Sequence, residues 1–353
     1  MNHSSTPDTL SRADGWRIEP RSFRRALLRW YDSHKRDLPW RGSRDPFRVW
    51  VSEIMLQQTR AAAVIPYYER FLARFPKVDA LAAAPEHDVL AAWAGLGYYS
   101  RARNLQRAAR EISALGSFPR DYASIRNLPG IGDYTAAAVA SIAFDLPYAV
   151  LDGNVIRVLS RLTAEPGNVR QSKARSRLRT VAEHLLDPKR PGDFNQAMME
   201  LGATVCLPKR PQCRTCPVVH ACVAFALGKQ AEFPILPTRA ASSRVERRLL
   251  LIERGHEVLV WQRLSDSRRL AGFWELPGPD ELPEAAIGER IGGFRHTIVN
   301  TTYQIDVHRA SISEAPRGFC WLSRAKLDEV PLSTTARKAL SYLLRNRIES
   351  AHA

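Results

Sequence analysis

Two carboxylates and four thiols are the side chains best placed to do chemistry in this chain. Glu53 lies in the run FRVWVSEIMLQQTR, where Trp50, Glu53, Leu56 and Gln57 recur at three- and four-residue spacing and share one helix face. A carboxyl set among tryptophan and leucine loses hydration, which favours its protonated form and suits a general acid working near neutral pH. The competing structural reading is a glutamate neutralised by one of the chain's many arginines. Asp152 precedes GlyAsnValIleArgVal. Its structural role there is a helix N-cap, and its functional role is an ionised carboxylate beside a developing cation. Cys206, Cys213, Cys216 and Cys222 are separated by six, two and five residues, while Cys320 stands apart and reads as a core residue. Four thiols so close favour a metal over disulfides. Thiolate-only ligation suits zinc or an iron–sulfur cluster, and one tight pair with two longer arms leaves both open.

A further feature is the LeuProGlyIleGly run at Leu128–Gly132. Gly130 and Gly132 permit a tight turn that exposes consecutive N–H groups at the start of the next helix. Such a turn grips a phosphate without any side chain, which is enough for sequence-independent hold on a DNA backbone. The alternative is a plain connection between two packed helices.

These residues need elements to carry them. From Pro20 to about Ala231 apolar residues recur at three and four, and the sequence predicts nearly continuous helix. Asp45 followed by Pro46 is a cap and first-turn proline, opening the helix that holds Glu53. Breaks are expected at Gly95–Gly97, Asn127–Gly132, Asp152–Asn154 and Pro188–Gly192. The proline-bearing, polar stretch FPILPTRAASSR reads as a linker. Beyond it RRLLLIER, EVLVWQRL, TTYQIDVHRA and GFCWLS predict short strands, and LSTTARKALSYLLRNRIES a closing helix with Ser333 as its cap. The expected organisation is a mobile tail over 1–20, a helical domain over 21–231, a linker over 232–246 and a smaller α/β domain over 247–347. The fold class is therefore mainly α with an α/β appendage.

At 353 residues the chain is long enough for two domains, and 45% apolar with 25% charged residues is ordinary globular composition. The longest apolar stretch, Thr135 to Phe144, is far shorter than the ~20 residues a membrane-spanning helix needs. The first twenty residues hold no apolar core, so a secretion signal is not expected and a cytoplasmic, nucleoid-associated location is. Lysine and arginine number 52 against 36 acidic residues, a net charge of +16, which points to a polyanionic partner and most simply to nucleic acid.

Together these segments resemble the adenine DNA glycosylases of the MutY type. The likeness runs in order through LPWRGSRDPFRVWVSEIMLQQTRAAAVIPYYERF, WAGLGYYSRARNL, LPGIGDYTAAAVASIAF, VLDGNVIRVLSRL and FNQAMMELGATVC, covering most of Asp37 to Cys222, and continues more weakly to about Arg347. The resemblance implies a helix–hairpin–helix glycosylase domain in which Leu128, Gly130 and Gly132 meet the DNA backbone. It also implies one four-iron four-sulfur cluster on Cys206, Cys213, Cys216 and Cys222. Glu53 would protonate an extruded adenine, and Asp152 would stabilise the oxocarbenium-like sugar or bond to it transiently. Tyr134 and Asn154 would help position the sugar and Asp152. Arg36, Trp40, Arg41, Leu56 and Glu200 would line the adenine pocket. Gln57 and Tyr98 would wedge into the duplex beside the flipped base, with Gln58 grouped among the substrate-binding residues. The structural alternative for Tyr98 is a core aromatic beside a glycine turn.

In endonuclease III relatives, which also cleave the strand, a lysine stands where this chain has Tyr134. No lysine occurs between Lys77 and Lys173, so a monofunctional enzyme is expected. Leu270–Gly278, LAGFWELPG, resembles the Nudix-like C-terminal domain of these glycosylases. The acidic run that holds magnesium in working Nudix hydrolases is missing after Gly278. In the family this domain reads 8-oxoguanine on the opposite strand through a Phe-Ser-His turn. Here Ile298, Val299 and Asn300 stand instead, so either Asn300 contacts the purine edge or discrimination between 8-oxoguanine and guanine is weakened. The expected partner is double-stranded DNA carrying A:8-oxoguanine or A:G mispairs, bound by a monomer, with no membrane. The competing readings are an endonuclease III-type pyrimidine-lesion glycosylase/lyase, a non-catalytic DNA-binding protein and a Nudix hydrolase carrying a helical module.

Overall fold

The computed structural model describes residues 18–237, 243–264, 267, 270–298, 300–327 and 329–350. The tail expected over 1–20 lies outside the described residues up to position 17. Twelve helices come first among the described residues: α1 (Pro20–His34), α2 (Pro46–Leu56), α3 (Ala61–Arg74), α4 (Val78–Ala83), α5 (Glu86–Trp93), α6 (Ser100–Leu115), α7 (Tyr122–Asn127), α8 (Asp133–Phe144), α9 (Gly153–Thr163), α10 (Ser172–Leu185), α11 (Pro191–Thr204) and α12 (Val223–Ala226). Six strands follow: β1 (Ser243–Arg254), β2 (Glu257–Gln262), β3 (Trp274–Glu275), β4 (Ala286–Ile298), β5 (Thr301–Ser311) and β6 (Phe319–Ser323). Helix α13 (Thr334–Ser350) closes the chain. Among the described residues no helix is long and apolar enough to cross a membrane.

The chain divides into two compact units, one comprising the residues up to Gln58 together with Glu111–Thr238, the other Thr59–Arg110 together with the residues from Arg239. In the first unit, α8 is the central element. Its run from Thr135 to Ile142 is buried on every side, because DYTAAAVASIAF has small side chains all round and neighbours approach closely. Helices α2, α7 and α11 pack on α8, and α11 also packs on α9 and α1. Two glycines make the α11 contacts possible. A Cβ at Gly192 would lie 2.7 Å from the Ser141 carbonyl oxygen, and one at Gly202 would lie 2.6 Å from Asn154 Cβ.

In the second unit the sheet runs β3-β2-β1-β5-β4, with β6 on β2; β1 and β5 are parallel and the other pairs antiparallel. Period-two alternation splits β1 between two cores. Leu249 and Leu251 pack with Val258, Val260, Val307 and the α13 residues Ala336, Ala339 and Leu340. Leu250 and Ile252 face the opposite way, against Leu259 and Leu282. Burying each such leucine or valine contributes roughly 1.5–3 kcal/mol, which is ample to hold a sheet of this size together.

Several boundaries depart from the sequence reading. Helix α2 stops at Leu56 rather than Arg60, and Gln58 takes a left-handed φ of 61°. No glycine or proline marks that exit. Strand β1 begins at Ser243, inside the expected linker. The glycine-bearing segment after Gly278 forms the thirteen-residue β4, which the sequence reading did not assign. Ser333 caps α13 as expected, its Oγ accepting the Ala336 N–H at 3.0 Å.

Candidate active site

Asp45 sets the start of α2 by accepting the Phe47 N–H at 2.9 Å. Pro46 follows as the first helical residue, and the register then points Trp50 and Glu53 inward, both buried. Glu53 therefore sits 4% exposed, between aromatic and aliphatic neighbours. It accepts a hydrogen bond from the Tyr134 hydroxyl, on the first turn of α8, which also lies 3.3 Å from Met199 Sδ. Burial pushes the Glu53 carboxyl up to about 7, the Tyr134 bond opposes the rise, and the charge of Asp152 adds to it. Glu53 is thus held by a tyrosine and not by the arginine of the structural alternative.

Asp152 is the N-cap of α9. One carboxylate oxygen accepts the Val155 N–H at 2.7 Å and the other accepts Asn154 Nδ2 at 3.1 Å. Its capping and charge-bearing roles are therefore compatible. Burial raises its pKa, while the Val155 and Asn154 bonds and the Arg157 charge pull it down. Arg157, a turn further on, donates to Asn154 Oδ1 at 2.8 Å, to the Gly202 carbonyl at 2.7 Å and through Nε to the Cys206 carbonyl at 2.8 Å. The sequence reading missed Arg157, Gly202 and Met199. Only the three-residue spacing from Asn154 to Arg157 on α9 offered a signal; the other two depend on tertiary approach.

Two further expected residues meet at Glu200 on α11, which is itself expected in the site and is 1% exposed. Arg36 donates to it through Nε at 2.7 Å and Nη2 at 2.8 Å, and Arg41 donates to it as well. Burial alone would raise the Glu200 pKa, but the bonds from Arg36 and Arg41 win and bring it down to about 2. Trp40 is buried in the same segment, while Leu56 and Gln57 are half-buried. Gln57 Nε2 donates to Thr135 Oγ1 at 3.3 Å, and Gln58 is exposed. Tyr98 belongs to the second unit, where it is 51% exposed and so is not a core aromatic. Asn300 is also in that unit, exposed in the turn between β4 and β5, with its carbonyl accepting the Ser243 N–H; neighbouring Val299 lies outside the described residues.

The hairpin lies between α7 and α8. Gly130 has φ 75°, the Ile131 N–H donates to the Leu128 carbonyl at 3.1 Å, and Gly132 caps α8 without a side chain. The first-turn N–H groups of α8 thus have no side-chain cap drawing on them. Arg126 braces the turn by donating to Asp133 and to the Ile131 carbonyl.

None of the four clustered cysteines is in a disulfide. Burial pushes Cys216 up to about 12, and the charges of Cys206, Cys222 and Cys213 add to the rise, so the sulfurs sense one another. Buried Arg161 donates to Cys206 Sγ at 3.2 Å and to the Leu207 and Pro208 carbonyls at 2.8 Å and 3.0 Å. Among the described residues no three His, Cys, Asp or Glu side chains close around a single-ion position.

Comparison with known proteins agrees with this geometry. Residues 51–184 match the HhH-GPD superfamily base excision DNA repair protein family. The adenine DNA glycosylase of Mus musculus is 38% identical over 90% of this chain and 77% of its own length. That of Homo sapiens is 49% identical over 91% of this chain and 73% of its own length. Among solved structures, a thermostable thymine-DNA glycosylase is 29% identical and covers 59% of this chain and 97% of that one, with a TM-score of 0.54. A non-covalent endonuclease III–DNA complex shares the fold over 60% of this chain and 99% of that one, at 23% identity and a TM-score of 0.50. With relatives matched over about nine tenths of its own length and about three quarters of theirs, the chain belongs to the adenine DNA glycosylase family.

Proposed function

We propose that this chain removes adenine paired with 8-oxoguanine or guanine, by hydrolysis alone, and leaves the abasic strand uncut. The observation that carries the reading is the buried Glu53 carboxyl, raised to about 7 and held by Tyr134, with Asp152 near enough for its charge to act on both. Adenine leaves poorly until it is protonated. Glu53 supplies that proton to a ring nitrogen of the extruded base, with Tyr134 fixing the carboxyl. Asp152, oriented by Val155 and Asn154, faces the positive charge that develops on the sugar. Ionised Glu200 fixes Arg36 and Arg41, which present donors to the base edge, and Trp40 and Leu56 pack on its face. Gln57 and Tyr98 fill the gap left in the duplex. Asn300 is the side chain offered to the opposite purine.

Tyr134 also bears on the strand chemistry. β-Elimination begins with an amine attacking the sugar, and a tyrosine hydroxyl hydrogen-bonded to Glu53 offers none. The Nudix-like part then reads lesions without hydrolysing nucleotides. Cys206, Cys213, Cys216 and Cys222 would hold a four-iron four-sulfur cluster. The donor chemistry fits: four half-buried thiols in one loop, with Arg161 donating to Cys206 Sγ, are ligands of the kind an iron–sulfur cluster takes. When bound, the cluster supplies a four-point staple for the loop and a redox-active centre.

Single-turnover excision from duplexes holding A opposite 8-oxoguanine, guanine or thymine tests the specificity, with Asp152→Asn as the inactive control. Equal rates opposite all three bases would remove the lesion-reading role. Borohydride trapping of an efficient covalent adduct by the wild-type chain would overturn the hydrolytic assignment. Tyr134→Lys is expected to gain nicking activity; excision without nicking or trapping would mean that Tyr134 does not stand where the amine acts.

A further inference from the structure

We infer that Phe273, acting through Tyr99, is a positioning residue for Tyr98, so that the sheet-bearing part of the second unit sets the segment that enters the duplex. The inference rests on reading Tyr98 as the wedge. Tyr98 has φ 49° and is flanked by Gly97 at φ 71° and, two residues earlier, Gly95 at φ 107°. A bulky residue in the left-handed region is strained and persists only where its surroundings enforce it. What enforces it is the next residue. Tyr99 is buried, its ring centroid 4.0 Å from that of Phe273 at an interplanar angle of 46°. Its hydroxyl accepts the Gly95 N–H at 3.3 Å and shares a hydrogen bond with Thr334, the first residue of α13. Tyr99 thereby closes the loop Gly95–Tyr99 on itself and ties it to two points of the C-terminal part.

Those two points are linked to each other by backbone hydrogen bonds. The Trp274 N–H donates to the Pro331 carbonyl at 2.9 Å, and the Ser333 N–H to the Trp274 carbonyl at 3.0 Å. The turn carrying Phe273 is itself fixed, with Leu270 at φ 55°, Gly272 at φ 74° and the Phe273 N–H donating to the Leu270 carbonyl. On the other side, Arg103 in α6 donates to the Ala271 carbonyl and, through Nε, to Glu86 at 2.8 Å. Arg101 donates to the Leu96 and Gly97 carbonyls and lies over the Tyr98 ring. Tyr98 is exposed while everything that sets its backbone is anchored. A side chain that must enter a base stack needs that arrangement, and here the anchor lies in the part of the chain proposed to read the opposite base. Seating of that part on DNA and insertion of the wedge become one event.

The test uses the full chain and a mispaired duplex carrying 2-aminopurine beside the target adenine, whose fluorescence rises on unstacking. Single-turnover excision is measured in parallel for Tyr98→Ala, Phe273→Leu and the double variant, with thermal unfolding checked for each. Losing an aromatic pair predicts a fall of about 2- to 12-fold in excision for Phe273→Leu, with a smaller fluorescence rise. The double variant should be no worse than Tyr98→Ala alone, because Phe273 acts only through the wedge. Multiplying defects in the double variant, or an unchanged fluorescence rise in Phe273→Leu, would overturn the inference. Where Phe273→Leu fails to fold, Tyr99→Phe should recover most of what Tyr99→Leu loses, and equal defects in those two would overturn it instead. A Tyr98→Ala variant with normal unstacking and excision would show separately that the wedge reading itself is wrong.

Discussion

Glu53→Gln separates stability from activity in a way that depends on the proton. In the folded chain the Glu53 carboxyl titrates at about 7, against an ordinary value of 4.5, chiefly because burial strips its hydration. Below pH 4.5 both the folded and unfolded states hold the proton, and a neutral carboxyl costs little more than an amide. Between 4.5 and 7 the folded state alone keeps it. Above 7 the folded chain carries a buried carboxylate, and the penalty reaches its full size. The wild type therefore loses stability relative to Glu53→Gln as pH rises from 4.5 through 7, and the gap then levels off. The rise from 4.5 to about 7, at ~1.4 kcal/mol per pH unit, sets an upper bound of roughly 3.5 kcal/mol. Glutamine can still accept the Tyr134 hydrogen bond, so packing is preserved. Denaturant unfolding of both chains at pH 5 and pH 8.5 should show the variant gaining stability only at the higher pH. Excision should be lost at every pH, and wild-type excision should fall above pH 7 as the acid form is depleted. A pH-independent difference, or a variant less stable at pH 8.5, would refute the reasoning that Glu53 is a buried acid.

Arg157→Gln removes charged bonds to Asn154 and to the Gly202 and Cys206 carbonyls, each worth about 1.5–3 kcal/mol, and should slow excision roughly ten- to a hundredfold with little change in DNA affinity. Normal single-turnover rates would show that Asn154 needs no support. Gly202→Ala places a Cβ 2.6 Å from Asn154 Cβ, which cannot swing aside; a loss of about 1–3 kcal/mol in denaturant unfolding is expected, with slowed excision, and an unchanged midpoint would count against the close approach. Cys213→Ser should lose bound iron and the visible absorbance of the cluster, together with loop protection in hydrogen exchange. Zinc without iron in the purified wild type would overturn the cluster assignment. DNA affinity should fall steeply and linearly on a log–log plot against salt, given the net charge of +16, and a flat plot would show that the basic excess does not meet phosphates.

The parts of this site that could be read from sequence are those with local causes. Asp45 with Pro46 starts α2, and helical spacing from there buries Glu53. Asp152 caps α9, and Ser333 caps α13. Each depends on residues within a few positions of one another. What sequence did not show depends on distant approach or on balances of strain. The exit of α2 at Leu56 leaves Gln58 left-handed without any glycine to announce it. Strand β4 carries Gly288, Gly292 and Gly293, which weaken strand propensity. It pairs along β5 with two register shifts, so its existence is decided by its partner and not by its own composition. Arg157 is one arginine among many until α11 brings Gly202 and Cys206 to it.

The division of labour proposed for the two carboxylates follows from unequal hydrogen bonding. Glu53 is buried and Asp152 half-buried, and lost hydration raises both pKa values. Their charges also oppose one another, so the pair favours holding one proton between them. Where that proton resides follows from the donors. Asp152 receives the Val155 N–H and the Asn154 amide and feels the Arg157 charge, all of which favour its ionised form. Glu53 receives a single tyrosine hydroxyl. The proton therefore rests on Glu53 and the charge on Asp152, which is the distribution that base protonation followed by cation stabilisation needs. Exchanging donors should exchange roles. Asn154→Leu removes one donor from Asp152 and should raise its pKa further, moving the acid limb of the excision profile to higher pH. An acid limb unmoved in that variant would mean that the Asn154 amide does not hold the charge on Asp152.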